Sequence, residues 1–205
     1  MHKQSVKNPN RGINIYDFDK TIYAGDCSLD FYIFSVNKNL KILVCLPIQL
    51  WHFVLFIVKL ETRTNFKSHF FVFLKKIDNP ASYVDEFWAG RYIKVQEWYQ
   101  KLEHSKDVII SASPEFLLQP AFERLGAHAL IATRMDMHSG EIKGENCRGQ
   151  EKVYRLHQEL GYPIIRKAYS DSLSDLPILT LAEEGYIVKG DKIIKLREFT
   201  NKVSH

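Results

Sequence analysis

Asn14-Ile-Tyr-Asp-Phe-Asp-Lys-Thr-Ile22 places two carboxylates, Asp17 and Asp19, at the end of a short apolar run that reads as a strand. Residues two apart in a strand share a face, so the two acids point to one side and Phe18 points into the core. Like charges this close call for a cation between them or a raised pKa on one of them. A strand followed by an Asp-rich turn is also common without chemistry, so the weight falls on the rest of the chain.

Three later stretches supply partners. Asp107-Val-Ile-Ile-Ser-Ala-Ser113 is a second buried-strand pattern, ending at Ser111, where a hydroxyl and the following N–H groups suit an anion. Lys152 lies at the start of a helical pattern from Gln150 to Leu160, which carries its ammonium toward that anion. Arg166-Lys-Ala-Tyr-Ser-Asp171 ends a further strand, and Ser172-Leu-Ser-Asp175 then opens a helix through Leu176, Leu179 and Ala182.

In this order the motifs D-x-D-x-T, an apolar run ending in Ser, a Lys and D-x-x-x-D resemble the haloacid dehalogenase-like superfamily of phosphotransferases. Cys147-Arg-Gly-Gln-Glu-Lys152 with Ser170-Asp-Ser-Leu-Ser-Asp175 is most similar to the branch holding phosphoserine phosphatases and bacterial phosphatidylglycerophosphate phosphatases. The resemblance implies a phosphomonoesterase with Asp17 as nucleophile, forming an aspartyl-phosphate, and Asp19 as general acid and base. It implies Mg2+ held by the Asp17 and Asp171 carboxylates and the Asp19 carbonyl, with Asp175 orienting ligands or Lys152. Ser111, the Ala112 N–H and Lys152 would neutralise the phosphate oxygens. Asp-Lys-Thr also occurs in P-type ion pumps, but there Gly-Thr follows; here Ile22 follows, and Asp19 falls at the acid/base place.

The patterning predicts an α/β fold: a Rossmann-like parallel sheet core, residues 12–22 and 107–205, with an all-helical cap inserted over residues 23–106. Within the core, Glu115 to Leu125 reads as a helix closed by Gly126, Ala129 to Thr133 as a strand, and Met135 to Gly144 as a hairpin turn. Ile187-Val188 and Ile193-Ile194, around Gly190-Asp191, read as a last small hairpin. His2 to Asn10 reads as a frayed end, and the polar Met1 to Arg11 stretch gives no sign of a signal peptide.

With 28 Lys and Arg against 24 Asp and Glu, the net charge of +4 and the lack of a dense basic stripe argue against a nucleic-acid partner. Three cysteines, Cys27, Cys45 and Cys147, have no metal-ligand spacing and suit a reducing compartment. That places the expected site of action in the cytoplasm.

The cap carries the second informative feature. From Ile42 to Val58 there is no charge, and only Gln49 and His52 are strongly polar. A single span here would put Asp17 on one side of a bilayer and Ser111, Lys152 and Asp171 on the other, so the site could never assemble. The segment is therefore either a cap core helix, bundled with Ser68 to Lys76 and Ala81 to Leu102, or a re-entrant or interfacial helix at the inner face of the membrane. Pro47 is expected to kink it or to start its second part. Such a helix is apolar nearly all round, which favours lipid contact over a small cap core.

Asp26, Asp30 and Arg63 are the polar cap residues best placed to face the site, Arg63 as a partner for a lipid headgroup phosphate. A lipid phosphomonoester such as phosphatidylglycerophosphate is the expected substrate, phosphoserine or another small metabolite the alternative. A non-catalytic membrane-associated protein of the same fold is the remaining class.

Overall fold

The computed structural model describes residues 12–203. The frayed-end reading for His2 to Asn10 lies outside the described residues. Along the chain come β1 (Ile13–Tyr16), then the helices α1 (Cys27–Lys38), α2 (Leu46–Ile57), α3 (Arg63–Phe70), α4 (Pro80–Arg91) and the short α5 (Glu97–Gln100). After these come β2 (Asp107–Pro114), α6 (Glu115–Leu125), β3 (Ala129–Thr133), α7 (Gln150–Leu160) and β4 (Ile165–Ser170). The chain closes with α8 (Leu176–Leu179), β5 (Glu184–Lys189), β6 (Lys192–Lys195) and α9 (Leu196–Val203).

The six strands form one sheet in the order β3-β2-β1-β4-β5-β6, parallel except for the final β5–β6 hairpin. The order reverses at β1, so β1 is central and the C-terminal ends of β1, β2 and β4 meet at one crevice. That is where an open α/β sheet binds ligands. Alternation along the strands sorts side chains between two cores: Ile15, Val108 and Ile110 pack on one face with α7 residues, Tyr16 and Ile109 on the other.

The helical insertion joins the second core rather than forming its own. Tyr23, Phe31, Phe71, Phe87 and Trp88 are buried in the same cluster as Tyr16, Phe18 and the α6 residues Leu117 and Leu118. The Trp88 indole N–H donates to the Leu117 carbonyl at 2.6 Å, tying α4 to α6. Gly140, in the turn closed by the Met135–Ile142 bridge, sits at φ +79° with room for no side chain. An added Cβ would come 2.4 Å from the Phe71 carbonyl oxygen, so this turn seats against the cap.

Several expectations shift in detail. The helix expected through Ala182 stops at Leu179, with a 3-10 turn at Leu173–Asp175 in front of it. Ser68 to Lys76 divides into the end of α3 and a 3-10 turn, Phe71–Lys76. Ala81 to Leu102 is interrupted near Val95, whose N–H closes a turn on Tyr92 while Gln96 N–H bonds the Ile22 carbonyl. These breaks let the insertion fold back onto the loop after β1.

The apolar run begins as a 3-10 turn, Leu40–Cys45, and continues as α2, with Pro47 in its first turn where its missing N–H is no loss. The reading of this segment as a cap core helix does not hold. Only 17% of Leu40–Ile57 is buried, and Gln49 is the one buried residue of α2. Gln49 is pinned by Tyr32 Oη, which donates to it, and by the Phe70 carbonyl, which accepts from it. The outer side shows Leu50, Trp51, Val54 and Ile57 to solvent, Trp51 at 61% exposure and Ile57 at 60%.

Candidate active site

A cavity of about 660 Å³ opens between the C-terminal ends of the central strands and the cap. Asp17 and Asp19 enter it from the loop after β1. The Phe18 carbonyl accepts from the N–H groups of Thr21, Ile22 and Tyr23, curling that loop into a tight turn, and Lys20 takes φ +56°. The turn buries Phe18 and leaves both acids facing the cavity, as strand alternation predicts.

Lys152, on the first turn of α7, is almost fully buried. Its Nζ donates to Asp17 Oδ1 at 2.7 Å and to Asp175 Oδ2 at 2.6 Å. Ser170 Oγ donates to the same Asp175 oxygen at 2.8 Å, which fixes the carboxylate that holds the lysine. Burial opposes the Lys152 charge, but Asp17 and Asp175 overcome it and hold the ammonium above its ordinary value. Asp17 has the reverse balance: burial pushes its carboxyl up to about 7, with Lys152 opposing.

Asp19 is oriented by three groups. Cys27 N–H donates to its Oδ1 at 2.7 Å, Ser113 Oγ donates to its Oδ2 at 2.5 Å, and Ser28 Oγ lies 2.9 Å from Ser113 Oγ. Burial, followed by the charge of Asp26, raises its pKa. A carboxyl held in this way retains a proton more readily than one in water, as a general acid requires.

The remaining expected residues divide. Asp171, Asp175, Ala112, Asp26 and Arg63 all line the cavity. Asp171 is half-buried, and burial raises its pKa. Asp26 also caps α1, accepting the Leu29 N–H at 3.0 Å. Ser111 is fully buried and its Oγ accepts the Ser113 N–H at 3.1 Å, so Ala112 and Ser113 rather than Ser111 make the cavity wall.

Four contributors escaped the sequence reading: Ser113, Lys67, Asn146 and Arg148. The Lys67 ammonium, on α3, donates to the Ala112 carbonyl and lies 3.5 Å from Asn146 Oδ1. Burial holds it below its ordinary value while Asp19 opposes. The only signal for it is its place on the inward side of α3, with Arg63, Phe66 and Phe70, and that needs the cap's docking to be known.

The donors suit a hard divalent cation. Asp17, Asp19, Asp171 and Asp175 line one cavity, yet among the described residues Lys152 is the one cation bonded to any of their carboxylates. Asp175 Oδ1 is buried with no partner. Asp17 and Asp171 are both raised by burial, so an ion among these oxygens would restore their charged forms.

The chain is 38% identical over 122 residues to Protein CicA of Caulobacter vibrioides, covering 54% of this chain and 55% of that one. It is 36% identical over 92 residues to a probable phosphatase of Mycobacterium tuberculosis, covering 42% and 32%. The chain thus spans about half the length, or less, of the curated relatives it matches. A Bordetella pertussis protein of unknown function superposes with a TM-score of 0.69 at 18% identity, over 83% of this chain and 86% of that one. A phosphoserine phosphohydrolase-like protein from Francisella tularensis gives 0.54 at 16% identity, over 85% of each chain. The family model of haloacid dehalogenase-like hydrolases matches residues 15–180, a span running from the central strand past Asp175, and the chain belongs to that family.

Proposed function

We propose that the protein is a magnesium-dependent phosphomonoesterase that removes the terminal phosphate from an anionic glycerophospholipid, phosphatidylglycerophosphate being the leading candidate. It would work at the cytoplasmic face of a membrane, in peripheral or monotopic contact through α2. The observation that carries the lipid reading is that one helix serves both surfaces. Phe53 of α2 lines the cavity that holds Asp17, together with Phe66 and Phe70, while Trp51, Val54 and Ile57 of the same helix face outward. A substrate whose acyl chains stay in the bilayer would reach the acids along that apolar wall, and binding energy from the chains would hold the headgroup in place.

Magnesium, held by the Asp17 and Asp171 carboxylates and the Asp19 carbonyl, would supply charge neutralisation and orientation of the phosphoryl group. The chain's own residues carry the rest. Asp17 forms a bond to phosphorus as the ester P–O bond breaks, and Asp19 gives its proton to the leaving oxygen. Water then attacks the aspartyl-phosphate, Asp19 takes a proton from it, and phosphate leaves with Asp17 restored. Lys152, Lys67 and the Ala112 amide would surround the phosphoryl oxygens, where the transition state carries its charge. Arg63 and Arg148 share the same cavity, where burial and then the charge of Arg148 hold the Arg63 guanidinium below its ordinary value, so a second anionic group such as a phosphodiester suits them.

The deciding experiment is kcat/KM for phosphatidylglycerophosphate in mixed micelles against phosphoserine in solution. The lipid is expected to be preferred by tenfold or more. A tenfold preference for phosphoserine overturns the lipid assignment while leaving the phosphatase reading intact.

A further inference from the structure

We propose that His52, Glu61 and His69 form a second metal site, for zinc or a similar transition metal, clasping the α2–α3 hairpin of the cap. His52 lies on α2, Glu61 in the connection and His69 at the end of α3, so the hairpin returns all three to one point. One donor atom from each lies within 4.8 Å of the other two. His52 Nδ1 is 2.7 Å from Glu61 Oε1, and His69 Nδ1 is 3.5 Å from the same oxygen. The two rings stack face to face with centroids 3.3 Å apart and planes 7° apart.

A hydrogen bond from one imidazole to a carboxylate accounts for part of this. It leaves the second carboxylate oxygen unexplained: the Glu61 side chain is 3% exposed, and its Oε2 is buried without a partner. An unsatisfied buried carboxylate oxygen is costly. Each ring's Nδ1 faces an oxygen, His52 toward Glu61 and His69 toward the Asn65 carbonyl, so as neutral imidazoles both keep an Nε2 lone pair beside an anion. A divalent cation removes both difficulties, because it takes a lone pair from each neutral imidazole and its charge offsets Glu61.

The donor chemistry selects the ion. Two imidazoles and a carboxylate are a zinc set, with a fourth position left for water. Nitrogen donors disfavour magnesium and calcium, which take oxygen. This separates the cluster from the all-oxygen acids around Asp17. Supporting groups are present too: Asn65 Nδ2 donates to Glu61 Oε1, and the Asn65 carbonyl accepts from His69 Nδ1 at 3.0 Å, which leaves Nε2 as the His69 nitrogen for a metal. Partners of that kind fix ligand orientation in metal sites. His52 and Glu61 also border a cavity of about 340 Å³, which gives an ion a way in.

The position gives the ion a consequence. Phe53 follows His52, Arg63 lies just beyond Glu61, and Phe70 follows His69; all three line the catalytic cavity. A clasp at this cluster would set the wall that the substrate meets.

The test uses the full chain, stripped with chelator and returned to buffer containing millimolar Mg2+ to occupy the oxygen site. It is titrated with Zn2+ against a chromophoric chelator and with Co2+ for its visible spectrum, with Tm followed in parallel. One tightly bound equivalent, the intense visible band of four-coordinate cobalt and a Zn2+-dependent rise in Tm are expected. His52→Gln and His69→Gln should each weaken Zn2+ binding at least about tenfold, as lost support for a site does, and abolish the Tm rise. Absence of the equivalent in the wild type, or binding unchanged in both variants, overturns the proposal. If either variant fails to fold, the wild-type cobalt spectrum decides, and a weak six-coordinate spectrum counts against the site.

Discussion

Asp17 is the residue on which two demands conflict. A nucleophile must be ionised, yet burial pushes this carboxyl up to about 7. The sign of the linkage follows: in the metal-free protein the folded state holds a proton that the unfolded chain, with its carboxyl near 3.8, has released. Stability from this group is therefore full at acid pH and is lost as pH rises between those values. Asp17→Asn removes the titration. In excess chelator its Tm should exceed that of the wild type at pH 8, and the difference should narrow toward pH 5, read by thermal melts across that range. A wild type that melts higher than the variant at pH 8 would mean that the bond to Lys152 outweighs burial. Asp17, Asp19, Lys152 and Asp175 were legible in the sequence because each follows a strand end or opens a helix in a fixed order. Ser113 was not, since its role comes from a 2.5 Å bond to Asp19 across 94 residues of chain.

At the scale of elements, the proposed lipid substrate gives α2 the task of meeting it. The sequence marked the segment as uncharged and aromatic, but which side faced outward depended on how Gln49 and Phe70 pinned it. Phe56 illustrates the difference: it stacks on Phe66 at 5.1 Å instead of facing solvent, so it is a poor probe of lipid contact. Trp51, Val54 and Ile57 are the better set, all more than half exposed. Burying one large apolar side chain contributes about 1.5–3 kcal/mol. Only the exposed half or so of each is left to bury in lipid, so replacing all three with Ser should remove on the order of 4 kcal/mol of membrane affinity, roughly a thousandfold in partitioning. Co-sedimentation with anionic vesicles checks this: the wild type is expected in the pellet and the triple variant in the supernatant. Equal recovery of both in the supernatant would leave α2 without a lipid role.

For the whole molecule, the sheet explains why so much of the site could be read early. In a parallel sheet the C-terminal ends of neighbouring strands converge, so Asp17 and Asp171, each predicted at a strand end, had to meet near the switch point at β1, while Ser111 stops one residue short of the cavity wall. The boundaries of the core helix α7 and of the strand β3 followed equally directly from apolar spacing and a closing turn. The insertion was harder, because its helices are broken wherever they bend back to share the Tyr16–Trp88 core, and those bends answer to tertiary contacts. Lys67 reaches the cavity only through that docking.

The central claim is that one buried acid, Asp17, performs metal-assisted phosphoryl transfer. Phosphate release from a phosphomonoester, measured for wild type and Asp17→Asn with Mg2+ and again in excess chelator, tests it most directly. Turnover is predicted only for the wild type with Mg2+, with Asp17→Asn folded and inactive. Full activity in chelator, or in Asp17→Asn, would contradict it.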